Sequence, residues 1–94
     1  MSQEWKVSIH QDASKNLEKL PNLVKEKLVR LLKSLEISGP IQKNYPNFSR
    51  LRCEKVEIYH CHLKKGKPTY VVVWKVGNNQ ITVQYVGTHE NAPY

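Results

Sequence analysis

Three of the four histidines lie where imidazole groups could perform proton-transfer chemistry. His60 and His62 are two residues apart, and on a β-strand such residues point to the same side. Lys64 would share that side if the strand continued. An imidazole with a pKa of about 6.5 can give or take a proton near neutral pH. The segment is therefore a candidate acid–base site on the face of a sheet.

The third histidine, His89, lies in the tail that follows the last predicted strand. Gly87 allows the chain to leave that strand sharply. His89 would then lie beyond the strand end, next to the place where a neighbouring strand brings His60 or His62. Tyr94 ends the tail, and its ring could stack on a base of single-stranded RNA, as could that of Tyr59. The alternative is a frayed end with a chance aromatic residue.

The same histidines permit two other interpretations. They could line a solvated, mildly basic strand face with no chemical role. They could also be metal ligands, with Cys53 or His89 as the third. No Cys-x-x-Cys pair accompanies them, and the nearby lysines would repel a cation. We therefore predict no metal ion and no other cofactor.

The charge distribution indicates an anionic partner. Lys and Arg number 15 against 8 Asp and Glu, which is a formal net charge of +7. Residues 43–94 carry net +5 and residues 1–42 only net +2. An excess of this kind suits nucleic acid, an acidic protein or an anionic membrane surface. The candidate phosphate-binding residues are Arg52, Lys55, Lys64, Lys65 and Lys67.

The sequence has no apolar run long enough to span a membrane and no apolar signal-peptide core near its first residue. Two cysteines do not make a disulfide framework. We therefore expect a cytoplasmic protein with reduced thiols and no membrane partner.

The 94 residues are enough for one domain with two helices near the start. Asp12 is predicted to cap a short helix that places Ala13, Leu17 and Leu20 on one stripe. Pro21 ends that helix and opens a stronger one, which runs to Leu35 and stops before Gly39-Pro40. Its apolar residues recur at spacings of three and four: Val24, Leu28, Leu31, Leu32 and Leu35.

Period-two alternation and β-branched runs predict four strands. They span residues 5–10, 51–63, 70–76 and 81–86. Residues 40–49 are predicted to form an ordered loop with two aromatic anchors. The fold class is therefore α+β: an N-terminal strand, a helical hairpin and a three-stranded antiparallel meander. The helices would cover one face of a four-stranded sheet and leave the other as a concave working surface.

This order of elements resembles the RelE/ParE superfamily of bacterial toxins. The resemblance also rests on the closing Val86-Gly87-x-His89 with Tyr94, and on the stretch from Cys61 to Trp74, which is similar to RelE-like chains. It implies a metal-independent, ribosome-dependent mRNA endoribonuclease that inhibits translation. The implied partners are mRNA, the ribosome and a cognate antitoxin protein.

The resemblance also implies roles for single residues. His89 and Tyr94 fall where RelE-like members have a basic residue and an aromatic residue near the C-terminus. Lys67 falls near the basic residue that opens the next strand. The hypothesis is that His60 or His62 is the general base and His89 the acid. Lys64 and Lys67 would hold phosphate, and Tyr94 would stack on a base or orient the phosphate.

Two alternatives stay open within the same fold. A ParE-like toxin would inhibit DNA gyrase and would need no convergent histidines. A catalytically inactive relative would act as an antitoxin-binding corepressor or as a plain RNA-binding domain.

Overall fold

The described part of the chain folds into a mixed five-stranded sheet with two helices packed on one face. The computed structural model describes residues 5–52 and 55–92. In chain order the elements are β1 (Lys6–Ile9), α1 (Gln11–Leu17), α2 (Asn22–Ser38), β2 (Ser49–Leu51), β3 (Glu57–Lys64), β4 (Tyr70–Gly77) and β5 (Gln80–Thr88), followed by a 3-10 turn (His89–Asn91). The predicted α+β class is confirmed.

The sheet order is β1-β5-β4-β3-β2, with β1 parallel to β5 and the other pairs antiparallel. The predicted number of four strands is wrong because β2 was assigned partly to a loop and partly to the start of β3. At three residues, β2 is too short to show a period-two pattern. It is a strand because its residues pair with β3 in antiparallel register, with Arg50 opposite Tyr59.

Helix α2 is amphipathic as the spacing predicts. Val24, Leu28, Leu31 and Leu35 are all buried, and each fully buried leucine contributes about 1.5–3 kcal/mol. The helix extends past Leu35 to Ser38 and ends at Gly39, whose φ is 89° and whose ψ is −169°. Only glycine adopts this backbone region readily.

Helix α1 begins earlier than predicted, so Asp12 is not its N-cap. His10 holds that position, and its Nδ1 accepts a hydrogen bond from the Asp12 backbone N–H at 3.1 Å. An imidazole nitrogen thus satisfies one of the unpaired amides of the first turn. The helix ends at Leu17, and Leu20 reaches the core from the turn that follows.

Aromatic residues connect the predicted loop to the centre of the sheet. Trp74 is fully buried on β4, and its indole N–H donates to the Pro40 carbonyl at 3.2 Å. Phe48 stacks on Tyr59 and on Trp74, with ring centroids 5.4 and 6.0 Å apart. Tyr45 also packs against this core, so both expected anchors of residues 40–49 are present. Tyr59 is 6% exposed, and the proposal that it stacks on RNA bases is therefore wrong.

Gly39 is required for its backbone conformation and for the contact that it permits. A Cβ added there would lie 2.7 Å from Trp5 Nε1. We expect Gly39→Ala to lower the free energy of unfolding by about 1–3 kcal/mol, as measured by urea denaturation. Gly77→Ala is the matched control, because a Cβ added there meets nothing within 4 Å. Equal losses in the two variants would contradict this account.

Candidate functional site

Two strands and a turn bring three imidazole rings together. The centroids of His60 and His62 are 6.0 Å apart, and those of His62 and His89 are 5.6 Å apart in an edge-to-face arrangement. On β3, Tyr59, Cys61 and Leu63 point into the core. The alternation of side chains therefore directs the two histidines of β3 to the opposite face.

The position of His89 depends on the pairing of β4 with β5. Tyr70 pairs with Thr88 at the end of the ladder. Beyond it, the His89 backbone N–H donates to the Thr69 carbonyl at 2.8 Å. This bond continues the ladder by one step and holds the 3-10 turn beside the end of β3.

The prediction that the last strand ends at Val86 and that the chain leaves it at Gly87 is wrong, because β5 continues to Thr88. The role of Gly87 is to leave room for the ring of Tyr85. A Cβ at position 87 would lie 2.6 Å from Tyr85 Oη and 2.9 Å from Cζ. The Tyr85 hydroxyl donates to the Thr88 carbonyl at 2.6 Å. The pair thus fixes the backbone immediately before His89.

The rings of His62 and His89 line a cleft of about 620 Å³, which we call the first cleft. The turn between β3 and β4 forms its other wall. The remaining lining residues are Gly66, Lys67, Pro68, Thr69, Thr88 and Glu90. The Thr69 hydroxyl donates to the Gly66 carbonyl at 2.7 Å and so closes this turn. The first cleft therefore combines two imidazoles, one ammonium group and one carboxylate.

The surroundings of His60 and His62 favour their neutral forms. Burial lowers the pKa of His60, and the charge of His89 adds to this effect, while a hydrogen bond with the backbone of Ser49 opposes it. Its Nδ1 lies 3.1 Å from Ser49 Oγ. Burial also lowers the pKa of His62, followed by the charges of His60, His89 and Lys65. A neutral imidazole that lines a cleft can accept a proton.

The structure brings some of the predicted phosphate-binding residues to this place and leaves others away from it. Lys67 lines the first cleft, and Lys65 is near enough for its charge to act on His62. Lys64 follows a register shift and pairs with Tyr70. It does not line the first cleft.

Arg52 and Lys55 lie at the other end of β3. Arg52 follows Leu51, which pairs with Ile58. Ile58 precedes His62 by four residues, or about 14 Å along a strand. These two cations are therefore separate from His62 and the first cleft. Tyr94 and Cys53 lie outside the described residues.

A second cleft, which no pattern in the sequence predicts, also has His62 in its lining. It has a volume of about 270 Å³ and is lined by Lys27, Arg30, Asn44, Tyr45, Pro46, His62 and Leu63. The sequence assigned Arg30 only to the wet side of α2. No local pattern could have joined the helix, the loop and β3, because their contact is tertiary.

Within residues 5–52 and 55–92, no three His, Cys, Asp or Glu side chains form a group that could hold a metal ion. Cys61 is fully buried, and burial raises the pKa of its thiol to about 12. This thiol is therefore neither a ligand nor a nucleophile in the folded protein. None of the helices in the described ranges has the length and apolarity needed to cross a bilayer.

Removing the charge of Lys65 should raise the pKa of His62. We expect Lys65→Ala to move the His62 titration toward the ordinary imidazole value in an NMR pH titration of the histidine ring protons. Lys33→Ala is the control, because Lys33 is an exposed lysine on α2 that lines neither cleft. A His62 titration that stays unchanged in Lys65→Ala would contradict the electrostatic assignment.

The contact between Tyr85 and Gly87 should appear as an energetic coupling. Gly87→Ala is expected to destabilise the fold by about 1–3 kcal/mol through overpacking. In a Tyr85→Ala background the same change should cost less, because the ring has gone. A double-mutant cycle measured by thermal denaturation gives the coupling energy. Strictly additive effects would show that the ring does not require the glycine.

Known proteins match this chain in their structures, whereas the two comparisons of sequence found no match. No protein-family model matches the sequence. No curated protein matches it either.

Several solved structures superpose over nearly the whole chain. The archaeal RelE–RelB complex from Pyrococcus horikoshii OT3 contains a chain with TM-score 0.76 and 18% identity, which covers 95% of this chain and 99% of that one. The YoeB dimer from Staphylococcus aureus has TM-score 0.71 and 16% identity over 92% and 98% of the two chains. The isolated E. coli RelE toxin has TM-score 0.68 and 24% identity over 95% and 88%. The chain thus has the fold of the RelE and YoeB toxins.

Proposed function

We propose that this protein is the toxin of a toxin–antitoxin pair and that it inhibits translation by cutting mRNA. The observation that supports this most is the convergence of His60, His62 and His89 beside the first cleft, within a RelE-like fold. A gyrase inhibitor of the same fold has no need for grouped imidazoles. A structural role alone would not require two of them to line a cleft next to a lysine.

The proposed reaction uses the RNA itself as the nucleophile. The 2′-oxygen attacks the adjacent phosphorus while the bond from phosphorus to the 5′-oxygen breaks. The products are a 2′,3′-cyclic phosphate and a 5′-hydroxyl. One proton leaves the 2′-hydroxyl and one proton must reach the leaving oxygen, so the reaction needs one base and one acid. It needs no metal ion or other cofactor.

His62 suits the role of general base better than His60. His60 is 9% exposed and interacts with Ser49, whereas His62 lines the first cleft. The lowered pKa of His62 keeps it able to accept the 2′ proton at neutral pH. His89, exposed at the other side of the same cleft, is the proposed acid. His60 is then a neighbour of His62 that takes no proton itself and whose neutral form is favoured.

The negative charge that develops on the phosphorane requires nearby cations. Lys67 in the wall of the first cleft is the first candidate, and Lys65 is the second. Arg52 and Lys55 are too far along β3 to act on the same phosphate, and they are proposed to bind RNA away from the scissile bond. The stacking role of Tyr94 stays a prediction.

A cognate antitoxin is the proposed protein partner. Solved relatives of this fold include RelE with RelB and YoeB with YefM. The net charge of +7 favours an acidic partner, which would compete with RNA for the same cations. The ribosome and mRNA are the proposed partners of the free toxin in the cytoplasm.

Replacing either cleft histidine should abolish toxicity. We expect His62→Ala and His89→Ala to remove growth arrest in cells that lack the antitoxin, and to slow mRNA cleavage by about 10²–10⁴-fold. Primer extension maps the mRNA ends, with and without ribosomes. The control is His10→Asn, which alters a histidine at the start of α1 and keeps a side chain able to cap that helix.

Three outcomes would contradict the proposal. Full toxicity of both cleft variants would exclude the assigned roles. Growth arrest without new mRNA ends, together with loss of gyrase supercoiling activity, would favour the gyrase inhibitor. Absence of toxicity from the unaltered chain would favour an inactive, antitoxin-binding or RNA-binding relative.

A further inference from the structure

The second cleft is joined to the first cleft through His62. His62 is a lining residue of both, with Lys67 and His89 in the first cleft and Lys27 and Arg30 in the second. The two clefts therefore adjoin at the edge of β3, so a strand whose reacting group lies at His62 has the second cleft as its neighbouring surface.

The second cleft is held rigidly next to His62. The His62 backbone N–H donates to the Pro46 carbonyl at 2.8 Å, which binds the loop to the edge of β3 beyond the end of β2. The same loop is braced from within, because the buried Gln42 amide donates to the Gly39 carbonyl at 2.8 Å. Tyr45, packed on the core, thus presents its remaining surface at a fixed place.

The lining has the chemistry for an anionic, aromatic ligand. Lys27 and Arg30 are three residues apart and so lie on one face of α2. The second cleft includes no Asp or Glu among its described lining residues, whereas Glu90 lies in the first. Neither cation forms an ion pair with a described carboxylate. Tyr45 adds an aromatic ring to the lining beside these cations.

We propose that the second cleft binds the stretch of single-stranded RNA that adjoins the scissile bond. This inference rests on the proposed function and adds a substrate contact to it. Lys27 and Arg30 hold phosphates, and a base lies against Tyr45. A volume of about 270 Å³ is below the range for drug-sized ligands and suits a single nucleotide. Combined cationic and aromatic surfaces are how proteins bind single strands.

The test measures binding separately from cleavage. A fluorescein-labelled RNA of about ten nucleotides, with every 2′-hydroxyl methylated so that it cannot be cut, is titrated with the full chain over a range of salt concentrations. For single strands, log K falls with log salt by about 0.7 for each neutralised phosphate. Replacing both cations with glutamine should therefore reduce the slope by about 1.4 and weaken binding several-fold at physiological salt.

Matched variants separate position from net charge. The double variant Lys15→Gln/Lys33→Gln removes two exposed lysines that line neither cleft, so it loses the same charge. We expect it to keep nearly the original slope. The exchange Lys27→Arg/Arg30→Lys preserves both charges and should also keep the slope, which controls for damage to α2.

Four results would overturn the inference: equal losses in the two glutamine variants, no loss in the Lys27/Arg30 variant, loss in the charge-preserving exchange, or loss of poly-L-glutamate binding while RNA binding is retained. The last result would assign the second cleft to an acidic protein. Cleavage of mRNA by the unaltered chain is followed in parallel, with and without ribosomes. Cleft-dependent binding with no mRNA cleavage under either condition would overturn the proposed function and leave the binding site standing.

Discussion

The arrangement of the site depends on one constraint, the alternation of side chains along β3. Tyr59, Cys61 and Leu63 are buried in the core between sheet and helices, and this burial determines the direction of every neighbour. A slip of one residue would bury both imidazoles and expose three apolar side chains. The pairings of β3 with β4 and β2 therefore hold His60 and His62 on the face away from the helices.

The position of the third imidazole, that of His89, depends on the pairing of β4 with β5. A register shift near Val73 leaves Gln84 of β5 without a partner on β4, and the ladder then continues to Thr88. The Tyr85 hydroxyl and the absence of a side chain at Gly87 fix the last residues of the strand. The pairing of β3 with β4 and of β4 with β5 thus sets the distance between the rings of His62 and His89.

The electrostatics of the site follow from this placement. Burial lowers the pKa values of His60 and His62, and the charge of His89 adds to both shifts. The charges of His60 and Lys65 lower the pKa of His62 further. The lysines of the turn between β3 and β4 thus lie near two imidazoles, those of His60 and His62, whose neutral forms are favoured. This combination separates the two tasks of the proposed reaction, because cations hold the phosphate while uncharged imidazole accepts the proton.

The sequence by itself determined the α+β class, the amphipathic helix α2, the central strand β4 and the shared face of His60 and His62. These features follow from periodicities that any local segment shows. It could not reveal β2, the role of Gly87 beneath Tyr85, or the separation of Arg52 and Lys55 from the cleft. The second cleft was also hidden, since α2, the loop and β3 meet only in the folded chain. Local pattern encodes which way a side chain points, whereas strand register and packing between distant segments decide which side chains meet.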